Sequence, residues 1–335
     1  MRDQSLDILR CIALICIIVI HIEPSSLWIR ELRNFDVPLM VFLSGISYSL
    51  SKAREKPYLE YVASRFTRLI VPTWIFLCLF FVIRIIRDGT TPDYKTTIKY
   101  FLLLNNWYTW IIRVLFHIAI LAPLVIPLAN RIRGRLGWCV IIGAIIINEI
   151  IAITACKGYN GFDYQVILAM ILPYVLVFLI GAMINEFPER VAGKTGLYLL
   201  TAFLVYLVLY YFLRGTIPSL SLYKYPPRFY WLTYGLAWSL ILWRFKNSIS
   251  NLFKKVHLAS FASFVGSHTL WIYFWHILLI TDLLPFFNIN ISLLRFALVF
   301  FPAVSITYIQ SVIIRSLAQK MPTYLGRQLL IVFNG

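Results

Sequence analysis

Apolar stretches of about 15 to 22 residues recur along the whole chain, separated by short polar connections. Few folds admit such a pattern. A run of that length with almost no charge crosses a bilayer as a helix, because the hydrocarbon core offers no partner to an open backbone. A β-barrel would need shorter, alternating segments. Approximate cores fall at 6–22, 37–51, 69–87, 108–129, 138–155, 165–185, 196–213, 229–245, 264–283 and 293–315. The second and eighth are short, and 98–106 reads as interfacial. The expected fold is all-α, a polytopic membrane protein with about ten transmembrane helices. No linker, low-complexity tract or internal repeat divides the chain, so 1–335 reads as a single transmembrane domain with no separate soluble domain. The missing repeat argues against transporter folds built from paired halves. The first stretch is long and lacks a small-residue cleavage site, so it reads as a span rather than a removed leader.

Charge fits this picture. Only 13% of the 335 residues are charged, against about 25% in soluble domains. The net charge of +17 would suggest nucleic acid in a soluble protein, but no basic segment here is large enough to fold alone. The excess reads instead as basic cytoplasmic loops. With a cytoplasmic N-terminus, the even-numbered connections and both tails hold about 18 Lys and Arg, against about 9 on the other side. The richest connection carries Lys52, Arg54, Lys56, Arg65 and Arg68. An even number of spans returns the C-terminus to the same side. The five cysteines, Cys11, Cys16, Cys78, Cys139 and Cys156, form no CxxC pair and read as small buried hydrophobes.

The first span holds Asp7, Arg10 and His21, and ionisable groups within a bilayer mark function by default. Arg10 and His21 are eleven residues apart, which returns to within about 20° of one direction and separates them by about 16 Å along the axis. Asp7 lies on that face too. The stripe suggests a protein-lined cavity running partway through the bilayer, with Leu14 and Ile17 between the polar groups. The plainer reading is an Asp7–Arg10 pair at the headgroups and a buried structural histidine.

Other groups carry chemistry. Arg65 and Arg68 share a helix face, and guanidinium forks suit phosphate; the alternative is an ordinary positive-inside signal. Ser44-Gly45 puts a small polar pair within the second span, where close helix packing is a better account than a catalytic serine. Arg113 and His117 lie below Asn105, Asn106, Trp107 and Tyr108. His268, Tyr273 and His276 lie in the ninth span. No HExxH or carboxylate-rich set accompanies these histidines, so no metal is expected. The loop Tyr223-Lys224-Tyr225-Pro226-Pro227-Arg228-Phe229-Tyr230-Trp231 reads as an interfacial aromatic belt or a sugar-stacking surface.

Taken together, these residues resemble the acyltransferase 3 family of bacterial membrane O-acyltransferases. Ser5-Leu6-Asp7-Ile8-Leu9-Arg10 leading to His21 is similar to that family's arginine, ten residues, histidine pattern. Val37-Pro38-Leu39 with Phe42-Leu43-Ser44-Gly45, Arg65-Phe66-Thr67-Arg68 before Pro72, and Trp107-Tyr108 before Leu121-Ala122-Pro123-Leu124 continue it. Gly266-Ser267-His268-Thr269-Leu270-Trp271-Ile272-Tyr273-Phe274-Trp275-His276 resembles its late tyrosine–histidine segment. The chain departs from one branch, which carries a glutamate in the fourth-helix region where Arg113 lies here.

The resemblance implies transfer of an acyl group, usually acetyl from cytoplasmic acetyl-CoA, to a hydroxyl of a cell-envelope polysaccharide or lipid-linked oligosaccharide in the bacterial inner membrane. His21 would be general base or transient acyl carrier, Arg10 would position the donor, and Arg65 and Arg68 would bind acetyl-CoA. Membrane lipid and the glycan acceptor are the expected partners, with no metal and no nucleic acid. A flippase or transporter for an anionic envelope lipid or glycan is the alternative that uses the same arginines. A glycan polymerase would want a larger outer loop.

Overall fold

The computed structural model describes residues 3–24, 26–51, 55–89, 91, 93–104, 107–131, 135–154, 164–287 and 289–334. Lys52, Arg54, Asn105, Asn106 and Cys156 lie outside them, as does the side chain of Cys139. The described residues are mostly helical, with no strand among them. Helix α1 (Gln4–His21) starts where Asp3 accepts the Ser5 amide at 2.9 Å, an N-cap that satisfies one orphan donor. The short α2 (Leu27–Leu32) turns the chain into α3 (Asp36–Leu50), where Pro38 sits in the first turn and costs no helical hydrogen bond. Helices α4 (Tyr58–Asp88), α5 (Tyr94–Phe101), α6 (Trp110–Arg131), α7 (Arg135–Thr154) and α8 (Tyr164–Met183) follow. Then come α9 (Glu189–Arg214), α10 (Phe229–Arg244) and α11 (Lys246–Lys255). The chain ends with α12 (Ala259–Ser267), α13 (Thr269–Leu278), α14 (Ser292–Gln319) and α15 (Thr323–Asn334).

Each expected span contains a helix, but seven described helical segments are long and apolar enough to cross a membrane, not ten. Of the three that differ, α7 enters only as Gly143–Thr154 among the described residues, and the other two are short helices. With 15 and 16 residues, α3 and α10 reach only about 23 Å, short of a hydrocarbon core of about 30 Å. The interfacial stretch becomes α5, an eight-residue helix with no buried residue.

The core is built on α1 and α3. Leu9, Leu14 and Ile18 of α1, Leu39, Phe42, Leu43 and Ile46 of α3, Tyr174 of α8 and Trp231 of α10 are fully buried. Lipid is as apolar as these side chains, so helix association rests on close contact rather than on hydrophobic transfer. Gly45 and Gly181 supply it reciprocally: a Cβ on Gly45 would stand 2.1 Å from the Phe178 carbonyl oxygen, and one on Gly181 2.1 Å from that of Phe42. At the periphery, α9 turns Leu204, Val205, Val208, Leu209, Phe212 and Leu213 outward, an apolar face suited to lipid. Because α1 and α3 run in opposite directions, the bundle has two ends: one holds Gln4, Ser47 and Tyr58, and the other holds His21 and Asp36.

Candidate active site

The last residue of α1 meets the last turn of the late helix α13. His21 Nδ1 and His276 Nε2 are 2.8 Å apart, a hydrogen bond in which one ring donates and the other accepts. The two rings lie within 9° of parallel. Tyr108 presents its ring edge-on to His21 at 4.8 Å. Tyr273 lies 4.8 Å from His276 and its hydroxyl donates to the Tyr108 carbonyl at 2.7 Å, tying α13 to the chain before α6. His276 is completely buried. Its Nδ1 is buried and has no hydrogen-bond partner among the described residues.

A charged wall flanks this pair. Arg33 and Asp36 form a buried ion pair, and the second Asp36 oxygen accepts the Val37 amide at 2.7 Å. Asn34, fully buried, donates to the Arg30 and Glu31 carbonyls at 3.0 and 3.1 Å and fixes the turn that carries Arg33 inward. Lys224, from the loop between α9 and α10, is buried as well. Burial pulls its ammonium down to about 8, with Arg33 acting in the same sense and Asp36 opposing. Arg33 and Lys224 are both within electrostatic reach of His21.

The arginine end is distinct. Arg10 Nη1 donates to Asp7 Oδ1 at 2.6 Å, and Nη2 donates to Ser47 Oγ on α3. Beside Ser47, Tyr48 packs edge-on against Tyr61 at 5.4 Å, and Arg65 lies over the Tyr61 ring at 5.1 Å. Arg10 and Arg65 therefore share one end of the bundle. Arg65 is half-buried and Arg68 is exposed. Leu14 and Ile17, both buried, separate Arg10 from His21, so any path between the two ends must pass these side chains.

The profile of the acyltransferase 3 family, described as an acyltransferase domain, matches residues 3–313, nearly the whole chain. The chain belongs to this family. Searches of curated proteins and of solved structures give no match. In this membrane acyltransferase the sequence candidates thus divide between two ends, with Arg10, Asp7 and Arg65 at one, and His21, Tyr273 and His276 at the other.

The remaining candidates do not join the histidine pair. Ser44 Oγ donates to the Met40 carbonyl one turn back at 2.8 Å, beside the Gly45 contact with α8, which is a packing role. Arg113 is buried and donates to the Leu103 carbonyl at 3.0 Å, bracing the turn that leads to Trp107 and Tyr108. Trp107 packs on Phe80 at 4.7 Å and on Tyr108 at 5.2 Å, supporting the His21 contact from behind. His117 is bonded to the Arg113 carbonyl at 2.7 Å. His268 interrupts the ninth span between α12 and α13 and bonds Ser267 and the Phe264 carbonyl, two turns from His276. Among the described residues no group of three metal-ligating side chains occurs.

Arg33, Asp36 and Lys224 were not singled out from sequence. Asp36 at a helix start and Lys224 in an aromatic loop are both ordinary local patterns. The usable signal was a charge in each of two connections predicted on the same outer side.

Proposed function

We propose that this acyltransferase moves an acyl group, acetyl in the simplest case, from cytoplasmic acetyl-CoA to a hydroxyl of a cell-envelope polysaccharide or its lipid-linked precursor. In this reading it works in the bacterial cytoplasmic membrane with both termini inside, as the loop charges suggest. The observation that supports it best is the His21–His276 hydrogen bond, half-buried on the His21 side, at the end of the bundle opposite Arg10 and Arg65.

The chemistry follows from the tautomers. In this reading His276 carries its proton on Nδ1, so its Nε2 accepts from His21 Nδ1–H. His21 Nε2 then keeps its lone pair. It takes the proton of the acceptor hydroxyl as that oxygen attacks the thioester carbon. The C–S bond breaks, and the departing thiolate recovers the proton from the imidazolium. A two-step variant uses the same lone pair to form an acyl-imidazole first, which the hydroxyl then cleaves. Arg65 and Arg68 would hold the CoA phosphates. Arg10, already neutralised by Asp7, would steer the pantetheine arm past Leu14 and Ile17.

Purified protein in liposomes, supplied with radiolabelled acetyl-CoA, tests the donor half by release of CoA thiol. Mass analysis of surface polysaccharide from cells with and without the gene tests the acceptor half. Thiol release that depends on His21, and an acyl group lost from the glycan with the gene, are the expected results. Absence of both overturns the reading.

A further inference from the structure

The loop between α9 and α10 folds inward at the His21 end, and carboxylates clamp both its sides. Glu31, on α2, accepts from Ser219 Oγ at 2.6 Å and from the Leu220 amide at 2.8 Å. Glu149, on α7, accepts from Arg228 Nε at 3.0 Å and from the Phe229 amide, while Asn148 Nδ2 donates to the Pro227 carbonyl at 3.0 Å. Tyr225 packs edge-on to Trp110 at 5.2 Å. Lys224 is thereby carried into the bundle and left 6% exposed.

Among the described residues its ammonium has neither an ion pair nor a hydrogen bond; the Tyr225 ring, 5.4 Å from Nζ, is its recorded contact. Asp36 does not neutralise it, because that carboxylate already serves Arg33 and the Val37 amide. Glu23, also at this end, is exposed. Lys224 and Arg33 against Asp36 leave one positive charge beside His21. A buried, unpaired ammonium costs several kcal/mol, and a methionine would fill the same space without that cost. The charge needs an anion that the chain does not supply.

We propose that Lys224 anchors the acceptor by binding an anionic group on it, a sugar carboxylate or phosphate, so that acidic or phosphate-linked glycans present their hydroxyl to His21. The proposal rests on the acyl-transfer reading, and supplies the acceptor class which that reading leaves open. Lys224 in this role contacts substrate in the ground state, whereas a lysine aimed at the transition-state oxyanion would leave ground-state binding unchanged.

The test uses the purified full-length protein in detergent, saturated with CoA so that the arginine end is occupied. CoA binding is measured first, and its absence would count against acyl transfer. Affinities for D-glucuronate, D-glucose 1-phosphate and D-glucose are then compared by calorimetry in wild type, Lys224→Gln and Lys224→Arg. Wild type should bind at least one anionic sugar about tenfold or more tightly than glucose, and which of the two it prefers separates carboxylate from phosphate. Lys224→Gln should abolish that preference while CoA binding persists, and Lys224→Arg should retain it. The inference is overturned if neither anion is preferred to glucose, or if the preference survives in Lys224→Gln.

Discussion

His21 Nδ1 and His276 Nε2 face each other at 2.8 Å across 255 residues of sequence. A hydrogen bond at one imidazole nitrogen fixes which lone pair remains on the other, so His276 acts as a positioning residue for His21. His21→Ala should lower acyl transfer by about a thousandfold with normal abundance in the membrane, since no buried charge is left unpaired. His276→Gln should lower kcat by roughly ten- to a hundredfold and leave KM for the donor unchanged. Full activity in His21→Ala would remove the base from the mechanism. A His276→Gln protein with only a raised KM would make His276 a binding group.

Arg65 lies over Tyr61 at 5.1 Å, near Ser47 and Arg10, at the end where an anionic donor would enter. A guanidinium that grips phosphates far from the reacting carbon binds ground and transition states alike. Arg65→Ala or Arg68→Ala should therefore raise KM for acetyl-CoA about tenfold and change kcat less than about twofold. Steady-state kinetics over a range of donor concentrations checks this. An unchanged KM in both variants reduces the pair to a topology signal.

Much of the fold was legible because a bilayer leaves a backbone few options, and the helices follow the apolar runs. The two-ended arrangement of Arg10 and His21 was legible too, since helical rise converts sequence spacing directly into depth. The partner of His21 was harder to read. His268 and His276 stand in one predicted span with equal claims, and the break between α12 and α13 bonds His268 to its own turn while His276 reaches α1. Arg33, Asp36 and Lys224 stayed hidden for a different reason. Each lies in a short connection, where charge is expected at the surface, and nothing local reveals that a loop clamped by Glu31 and Glu149 turns inward.

Ser44 and Gly45 are neighbours with opposite expected sensitivities. Gly45→Val would drive a side chain into the Phe178 carbonyl, which a backbone atom cannot yield cheaply. It should destabilise the bundle by about 3 kcal/mol or more, seen as lower yield and a lower melting temperature in detergent. Ser44→Ala loses only an intrahelical bond to Met40 and should keep transfer activity within about twofold. Loss of activity in a well-folded Ser44→Ala protein would reopen a chemical role for that hydroxyl.

The Arg33–Asp36 pair gives a sharper stability test. Both side chains are buried, so removing one partner strands the other's charge away from water. Asp36→Asn should cost about 3–5 kcal/mol, whereas the double change Arg33→Met with Asp36→Leu should recover most of it. Thermal unfolding of wild type and the two variants decides the matter, and equal losses in single and double variants would contradict the assigned pairing.

Lys224 makes the cost of the acceptor site measurable through pH. Its ammonium titrates at about 8 in the folded protein against 10.5 when free, because burial penalises the charge by more than the attraction of Asp36 offsets, and Arg33 adds a smaller repulsion. Between those two values the unfolded chain holds a proton that the folded chain has released, so stability rises with pH across that window. Below about pH 8 both forms are charged and the penalty is fully present, on the order of 3 kcal/mol. Lys224→Met removes it. The variant should melt higher than wild type at pH 7, and the gap should close as pH rises from about 8 toward 10.5. Tyr225, Asp36, Arg33 and His21 surround the site in both proteins, so their contributions largely cancel in the difference. A melting temperature for Lys224→Met equal to or below that of wild type at pH 7 would mean that the buried ammonium already has a partner in the resting protein.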